Sequence, residues 1–169
     1  MPLTDQKGLL LQKAIAPDCP KLMVDKDMIV QVLINLLSNG LKFTSKGGLM
    51  VKAYPDYPND YSEDRNNPRN LGYIHLEIQD SGIGIREDDM PKLFHTFSQI
   101  SSKDQPKTEG TGLGLVISKR IMDLHGGKIW VESVWQKGTT FHILLPIATK
   151  KDIDRYEKDV ENKTSQYSF

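Results

Sequence analysis

Cysteine is almost missing from this chain: Cys19 stands alone among 169 residues, so no intrachain disulfide can form. Neither sign of charge is in excess, with 22 Lys+Arg against 22 Asp+Glu. No positive field therefore gathers phosphate backbones or anionic lipid, and nucleic acid is a poor partner. No uninterrupted apolar run reaches the roughly 18 residues that span a bilayer. The N-terminal MPLTDQKG has no basic stretch running into an apolar one, so it does not read as a secretory signal. These absences predict a soluble, intracellular chain without direct membrane contact. What is present is 38% apolar residues, enough for a two-layer core, over a length that favours one compact domain.

Hydrophobic spacing organises the chain. Gly8–Ala16 reads as a first strand, ended by Pro17, Asp18 and Pro20, with a short second strand at Lys21–Val24. Asp25 and Asp27 open a helix whose Ile29, Val32, Leu33, Leu36, Leu37 and Leu41 recur at steps of three and four. Leu49, Val51 and Ala53 alternate as a strand, and the polar run Pro55–Asn70 is a surface loop. Ile74, Leu76 and Ile78 alternate in a half-buried strand that delivers Asp80 at its end. A short helix around Glu87–Phe94 precedes a weakly patterned stretch. A second helix after Gly110 carries Leu113, Val116, Ile117, Ile121 and Leu124, and Gly126-Gly127 stops it. Lys128–Val134 and Thr139–Leu145 are two further strands, and from Ala148 the chain is a charged, solvated tail, helical or frayed. This order fits one sheet with helices packed on one face, leaving edge loops free to bind.

Three clusters carry candidate chemistry. Asn35, Asn39 and Lys42 share one helix face at i, i+4 and i+7, roughly opposite the leucines. Amide oxygens suit a hard cation and a lysine suits phosphate, while a plain solvated face is the competing reading. Asp80-Ser81-Gly82-Ile83-Gly84 follows a strand: the glycines permit close approach of a flat ligand and the carboxylate can accept from an exocyclic amine, although strand-ending turns use the same residues. Gly110-Thr111-Gly112-Leu113-Gly114 runs into an apolar-periodic helix, where free amides bind phosphate.

In this order NLLSNGLKFT (Asn35–Thr44), DSGIGI (Asp80–Ile85), LFHTF (Leu93–Phe97) and GTGLGLVISKR (Gly110–Arg120) resemble the N, G1, F and G2 boxes of the sensor histidine kinase ATP-binding domain, a member of the GHKL superfamily. HGGKIWVES (His125–Ser133) and KGTTFHILLP (Lys137–Pro146) are similar to that family's closing strands. The resemblance implies a two-layer α/β sandwich of Bergerat type, with a mixed, mostly antiparallel sheet and helices on one face. It implies a catalytic ATP-binding domain over residues 7–147, a linker remainder at 1–6 and a polar tail at 148–169.

The resemblance further implies ATP and magnesium as ligands. Asn39 would hold the metal, Asn35 and Lys42 would contact phosphates, and Phe43 would line the adenine pocket. Asp80 would accept from the adenine amino group above a floor and wall of Gly82, Ile83, Gly84 and Ile85. Phe97–Gly110 would form a lid over the phosphates with Gly110, Thr111, Gly112, Leu113, Gly114 and the amides around Leu115. Thr140 would join the water network at Asp80. Gly40 departs from the family's usual alanine, at a cost of roughly 1 kcal/mol of helix propensity. The histidines, at 75, 95, 125 and 142, stand outside any H-E-x-R-T-P-like motif, so no catalytic phosphoacceptor is in the chain. The implied partners are the dimerisation and phosphoacceptor domain of the same kinase and, downstream, a response regulator receiver domain. The implied compartment is the cytoplasm, whether or not the parent protein is membrane-anchored. Relatives that hydrolyse ATP or phosphorylate serine carry a glutamate where this chain has Asn35, and an amide is a poor general base. A module that only senses nucleotide would carry the same boxes.

Overall fold

The computed structural model describes residues 7–57, 72–95 and 112–166. Strand β1 (Leu10–Ile15) leads through helix α1 (Lys26–Phe43) to β2 (Gly48–Asp56) and β3 (Tyr73–Asp80). A 3-10 turn (Glu87–Lys92) precedes helix α2 (Gly114–Leu124), strands β4 (Lys128–Val134) and β5 (Gly138–Pro146), and helix α3 (Lys150–Gln166). The strands form one sheet in the order β1-β2-β3-β5-β4. β1 lies parallel to β2, with α1 as the crossover, and the remaining pairs are antiparallel. The arrangement is the mixed α/β sheet with helices that the sequence led us to expect.

Helix α1 starts where Asp25 Oδ1 accepts the Asp27 and Met28 N–H groups, both at 3.0 Å. Its Val32, Leu36 and Gly40 are buried, one turn apart. Val32 and Leu36, with Ile121 and Met122 of α2, pack on Ile78, Ile129, Phe141, Ile143 and Leu145, which all point to one face of the sheet. His125 fastens the two helices end to end. Its Nε2 accepts the Asp25 N–H at 2.9 Å while its Nδ1 bonds the Ile121 carbonyl at 2.8 Å.

Local readings shift in three places. Lys21–Val24 forms no strand, only a single bridge between Leu22 and Ile147. Pro20 lacks an N–H, and Leu22 and Val24 are taken up by the core instead. Glu87–Phe94 tightens into a 3-10 turn over Glu87–Lys92 around the internal Pro91. Ala148 is buried, and its N–H donates to the Lys21 carbonyl at 3.1 Å, so the folded unit extends one residue beyond the expected tail boundary. Thr149 and Asp152 then cap α3 reciprocally, the Asp152 N–H on Thr149 Oγ1 and the Thr149 N–H on Asp152 Oδ2, each at 3.0 Å. Most of the expected loop Pro55–Asn70 lies outside the described residues. Among those described, no helix is long and apolar enough to cross a membrane.

Candidate nucleotide site

The site grows from one row of the sheet. Ile74, Leu76 and Ile78 on β3 pair with Leu145, Ile143 and Phe141 on β5, and the next step of that row pairs Asp80 with Thr139. Thr139 in turn faces Ser133 on β4. The core-facing surface thus ends in a polar group: Asp80 and Thr139 are both buried, and Thr139 Oγ1 lies 3.0 Å from Ser133 Oγ. Asp80 is only 8% exposed. Burial pushes its carboxyl above the usual carboxylate range, against a partial pull downward from the Gly82 and Thr139 backbone N–H groups.

The loop after Asp80 wraps back onto its surroundings. Gly82 N–H donates to Asp80 Oδ1 at 2.8 Å and Ile83 N–H to the Phe43 carbonyl at 3.3 Å. A Cβ on Gly82 would stand 2.6 Å from that carbonyl oxygen, so no other residue fits without moving the end of α1. Gly84, at φ +69°, passes so close to the Val134 carbonyl that a Cβ would fall 2.1 Å from it. Ile85 N–H donates to Ser133 Oγ at 2.8 Å, and the Ile83 carbonyl accepts from Gln136 N–H at 2.6 Å. The β4–β5 hairpin therefore holds one side of the loop and the end of α1 holds the other.

Helix α1 supplies the remaining wall. Asn35 does not lie on an open face. It is half-buried, its Nδ2 donates to the buried Ser118 hydroxyl of α2 at 2.9 Å, and a Cβ on Gly114 would meet its Oδ1 at 2.2 Å. Asn39, one turn on, is half-buried. Lys42 Nζ stands 5.3 Å from the centroid of the Phe43 ring. Gly40 explains its own departure from alanine: a Cβ there would come within 2.8 Å of Leu49 Cδ2 and 3.5 Å of Asp80 Cβ. At the start of α2, Gly112 has φ +67° and Leu113 caps the helix without a side-chain bond, so the first-turn amides have no intrahelical acceptor. Leu115 packs against the core. Phe97, Gly110, Thr111 and the rest of the expected lid lie outside the described residues.

Thr140 is a correction. It pairs with Gln79 and Glu132, on the opposite face of the sheet from Asp80. Thr139 holds the position beside the carboxylate, with Ser133 behind it. The alternation Thr139, Phe141, Ile143, Leu145 carried that signal, because a residue in step with the core row must share the face of Asp80. Thr44, the C-cap of α1, is a further residue that the sequence did not single out. It is buried, and its Oγ1 has no hydrogen-bond partner among the described residues.

Residues 24–149 match the family described as histidine kinase-, DNA gyrase B- and HSP90-like ATPase. The chain is 37% identical over 155 residues to hybrid signal transduction histidine kinase C of Dictyostelium discoideum, covering 88% of this chain and 12% of that protein. It is 38% identical over 131 residues to the sensor histidine kinase WalK of Bacillus subtilis, covering 78% of this chain and 20% of that protein. The chain therefore spans a minor part of these relatives' length. Among solved structures, full-length ShkA in complex with AMPPNP superposes with a TM-score of 0.68 at 28% identity, over 88% of this chain and 27% of that one. The catalytic domain of the histidine kinase ThkA gives 0.64 at 27% identity, over 86% of this chain and 83% of that one.

Proposed function

The chain belongs to the family of histidine kinase-, DNA gyrase B- and HSP90-like ATPases, and from that premise we propose that it binds magnesium-ATP and presents the γ-phosphate to a histidine on a separate dimerisation and phosphoacceptor domain. The observation that carries the adenine end is the buried Asp80 carboxylate beside the Gly82 cradle. One Asp80 oxygen takes the Gly82 N–H, and the carboxylate keeps acceptor capacity for an exocyclic amine. A guanine presents an acceptor at that position and leaves the carboxylate unpaired.

The donor set fits magnesium. Asn39 offers a neutral amide oxygen on a half-buried helix face, and Lys42 follows it by one turn. In our reading Asn39 holds the ion, which would neutralise phosphate charge, and Lys42 and the uncapped amides of Gly114 and Leu115 bind the phosphate oxygens. Positioning does the catalytic work: the acceptor imidazole nitrogen forms a bond to the γ-phosphorus as the bond from that phosphorus to the ADP oxygen breaks. Asn35 supplies no base, because an amide has no basicity, and its Nδ2 is committed to Ser118. Water is therefore poorly activated, and transfer to histidine is favoured over hydrolysis.

Residues 7–148 form the catalytic unit in this reading and the helix beyond is an appendage. A response regulator receiver domain is the downstream acceptor, and the reaction belongs to the cytoplasmic ATP pool. The deciding experiment supplies the cognate dimerisation segment, in cis or in trans, with labelled ATP. Label that is stable in base and lost in acid marks a phosphoramidate. Acid-stable label, or hydrolysis unaffected by the added segment, overturns the proposal.

A further inference from the structure

The sheet face turned away from the helices carries a connected polar cluster that the nucleotide site does not use. His75 and Glu77 stand on β3, His142 on β5, Tyr54 and Lys52 on β2, and Trp130 and Glu132 on β4. Register places Tyr54 beside His75, Lys52 beside Glu77, and Trp130 beside His142. One nitrogen of each histidine and one oxygen of Glu77 all lie within 4.8 Å of one another.

The hydrogen bonds fix how the imidazoles face. Tyr54 donates its hydroxyl to Glu77 Oε1 at 2.7 Å, so its oxygen is left to accept from His75 Nδ1 at 3.1 Å. His75 Nε2 is then a bare lone pair, and it lies 3.1 Å from His142 Nδ1, which must carry the proton between them. That assignment leaves His142 Nε2 without its proton. The atom is buried and has no hydrogen-bond partner among the described residues, while Glu132 Oε2 stands 3.8 Å away. A buried lone pair with no donor, set beside the exposed Glu132 carboxylate, is an unfavourable arrangement that the other described members of the cluster do not relieve.

We propose that His75, His142 and Glu77 form a binding site for a divalent transition ion of the zinc class on this face of the sheet. An ion bonded to His75 Nε2 and His142 Nδ1 at about 2.0–2.1 Å, across their 3.1 Å separation, subtends an angle of about 100°, close to tetrahedral. It takes the place of the proton between the two rings. The tautomer of His142 then reverses, Nε2 carries the hydrogen, and a closure of about 1 Å lets it donate to Glu132, which removes the orphaned lone pair. His75 needs no change, since its Nδ1 hydrogen already points to Tyr54. The two oxygens of Glu77 accept from Tyr54 and from Lys52 Nζ at 3.1 Å, contacts that hold its carboxyl below the usual range, and one of those oxygens would close on the ion from within 4.8 Å of the imidazole nitrogens. Trp130, stacked on His142 at 4.8 Å with an interplanar angle of 8°, fixes the ring plane. Two imidazoles and one carboxylate select zinc, cobalt, nickel or copper over magnesium, which demands oxygen ligands.

The test titrates the full chain, stripped of metal, with cobalt and then zinc near neutral pH. One equivalent of cobalt should develop visible d–d absorption, zinc should displace it stoichiometrically, and magnesium should not. Glu132→Gln should weaken zinc binding about tenfold, the low end for loss of an outer carboxylate, and His75→Gln and His142→Gln should each weaken it further. His95→Gln should change nothing. Copper should quench the tryptophan fluorescence of the parent chain and not that of His75→Gln, whose circular dichroism should match the parent. If His142→Gln fails to fold, His75→Gln and Glu77→Gln decide. Failure to bind zinc, binding of equal strength in the His75 variant, or loss of binding in His95→Gln overturns the proposal.

Discussion

The Asn35 carboxamide donates to the buried Ser118 hydroxyl at 2.9 Å and packs its oxygen against the backbone of Gly114. One side chain of α1 thereby sets how the first turn of α2, with its uncapped amides, sits over the site. Ser118→Ala should leave the amide N–H unpaired and cost about 1 kcal/mol of stability, the low end for a half-buried donor. A double-mutant cycle with Asn35→Ala, read by chemical denaturation, should give a coupling of at least about 0.5 kcal/mol. Additive losses would show that the bond does not link the helices.

Asp80→Asn should separate stability from binding. The carboxyl titrates above its ordinary range because burial disfavours the charged form. The folded state therefore holds that proton to higher pH than the unfolded chain, and the corresponding stability falls as pH rises through the raised pKa. Near neutrality the ionised carboxylate is a burden, so the amide variant should melt higher than the parent and lack that fall. It should also lose most ATP affinity by titration calorimetry. A variant that melts lower and binds equally well would refute both halves.

Gly82→Ala should damage the site through the backbone. The added Cβ would sit 2.6 Å from the Phe43 carbonyl oxygen and 2.8 Å from Asp80 Oδ1. Relief requires the end of α1 or the loop to move, at about 1–3 kcal/mol by thermal or chemical unfolding. ATP affinity should fall more than tenfold, because the adenine cradle is displaced.

Tyr54 should titrate late. Burial, followed by its bond to the Glu77 carboxylate, pushes the phenol up to about 12. The folded pKa lies above the ordinary value of 10.0, so the stabilisation is fully present below that pH and is lost as pH rises through about 12. Ultraviolet difference titration, with Tyr54→Phe to assign the signal, reads the midpoint. Glu77→Gln should bring it down, and an unmoved midpoint would show that the carboxylate does not act on the phenol.

Local periodicity determined most of the elements. Steps of three and four placed α1 and α2, alternation placed β2 and β3, and the ordered boxes marked Asp80, the glycine loop and the α1 face. These signals survive in sequence because a helix or strand repeats its own geometry over a few residues. The tertiary structure alone decided what depends on distant strands. A strand flips every side chain when its register slips by one residue, so alternation along β5 could mark the face of Thr139, but only the β3–β5 ladder could set that residue directly opposite Asp80. Only the packing of α1 on α2 could turn Asn35 inward to Ser118. His75 and His142 stand 67 positions apart, and nothing local to either residue shows that adjacent strands bring their nitrogens to 3.1 Å. Burial, which moves the Asp80 carboxyl, belongs to the assembled layers and not to any segment of the chain.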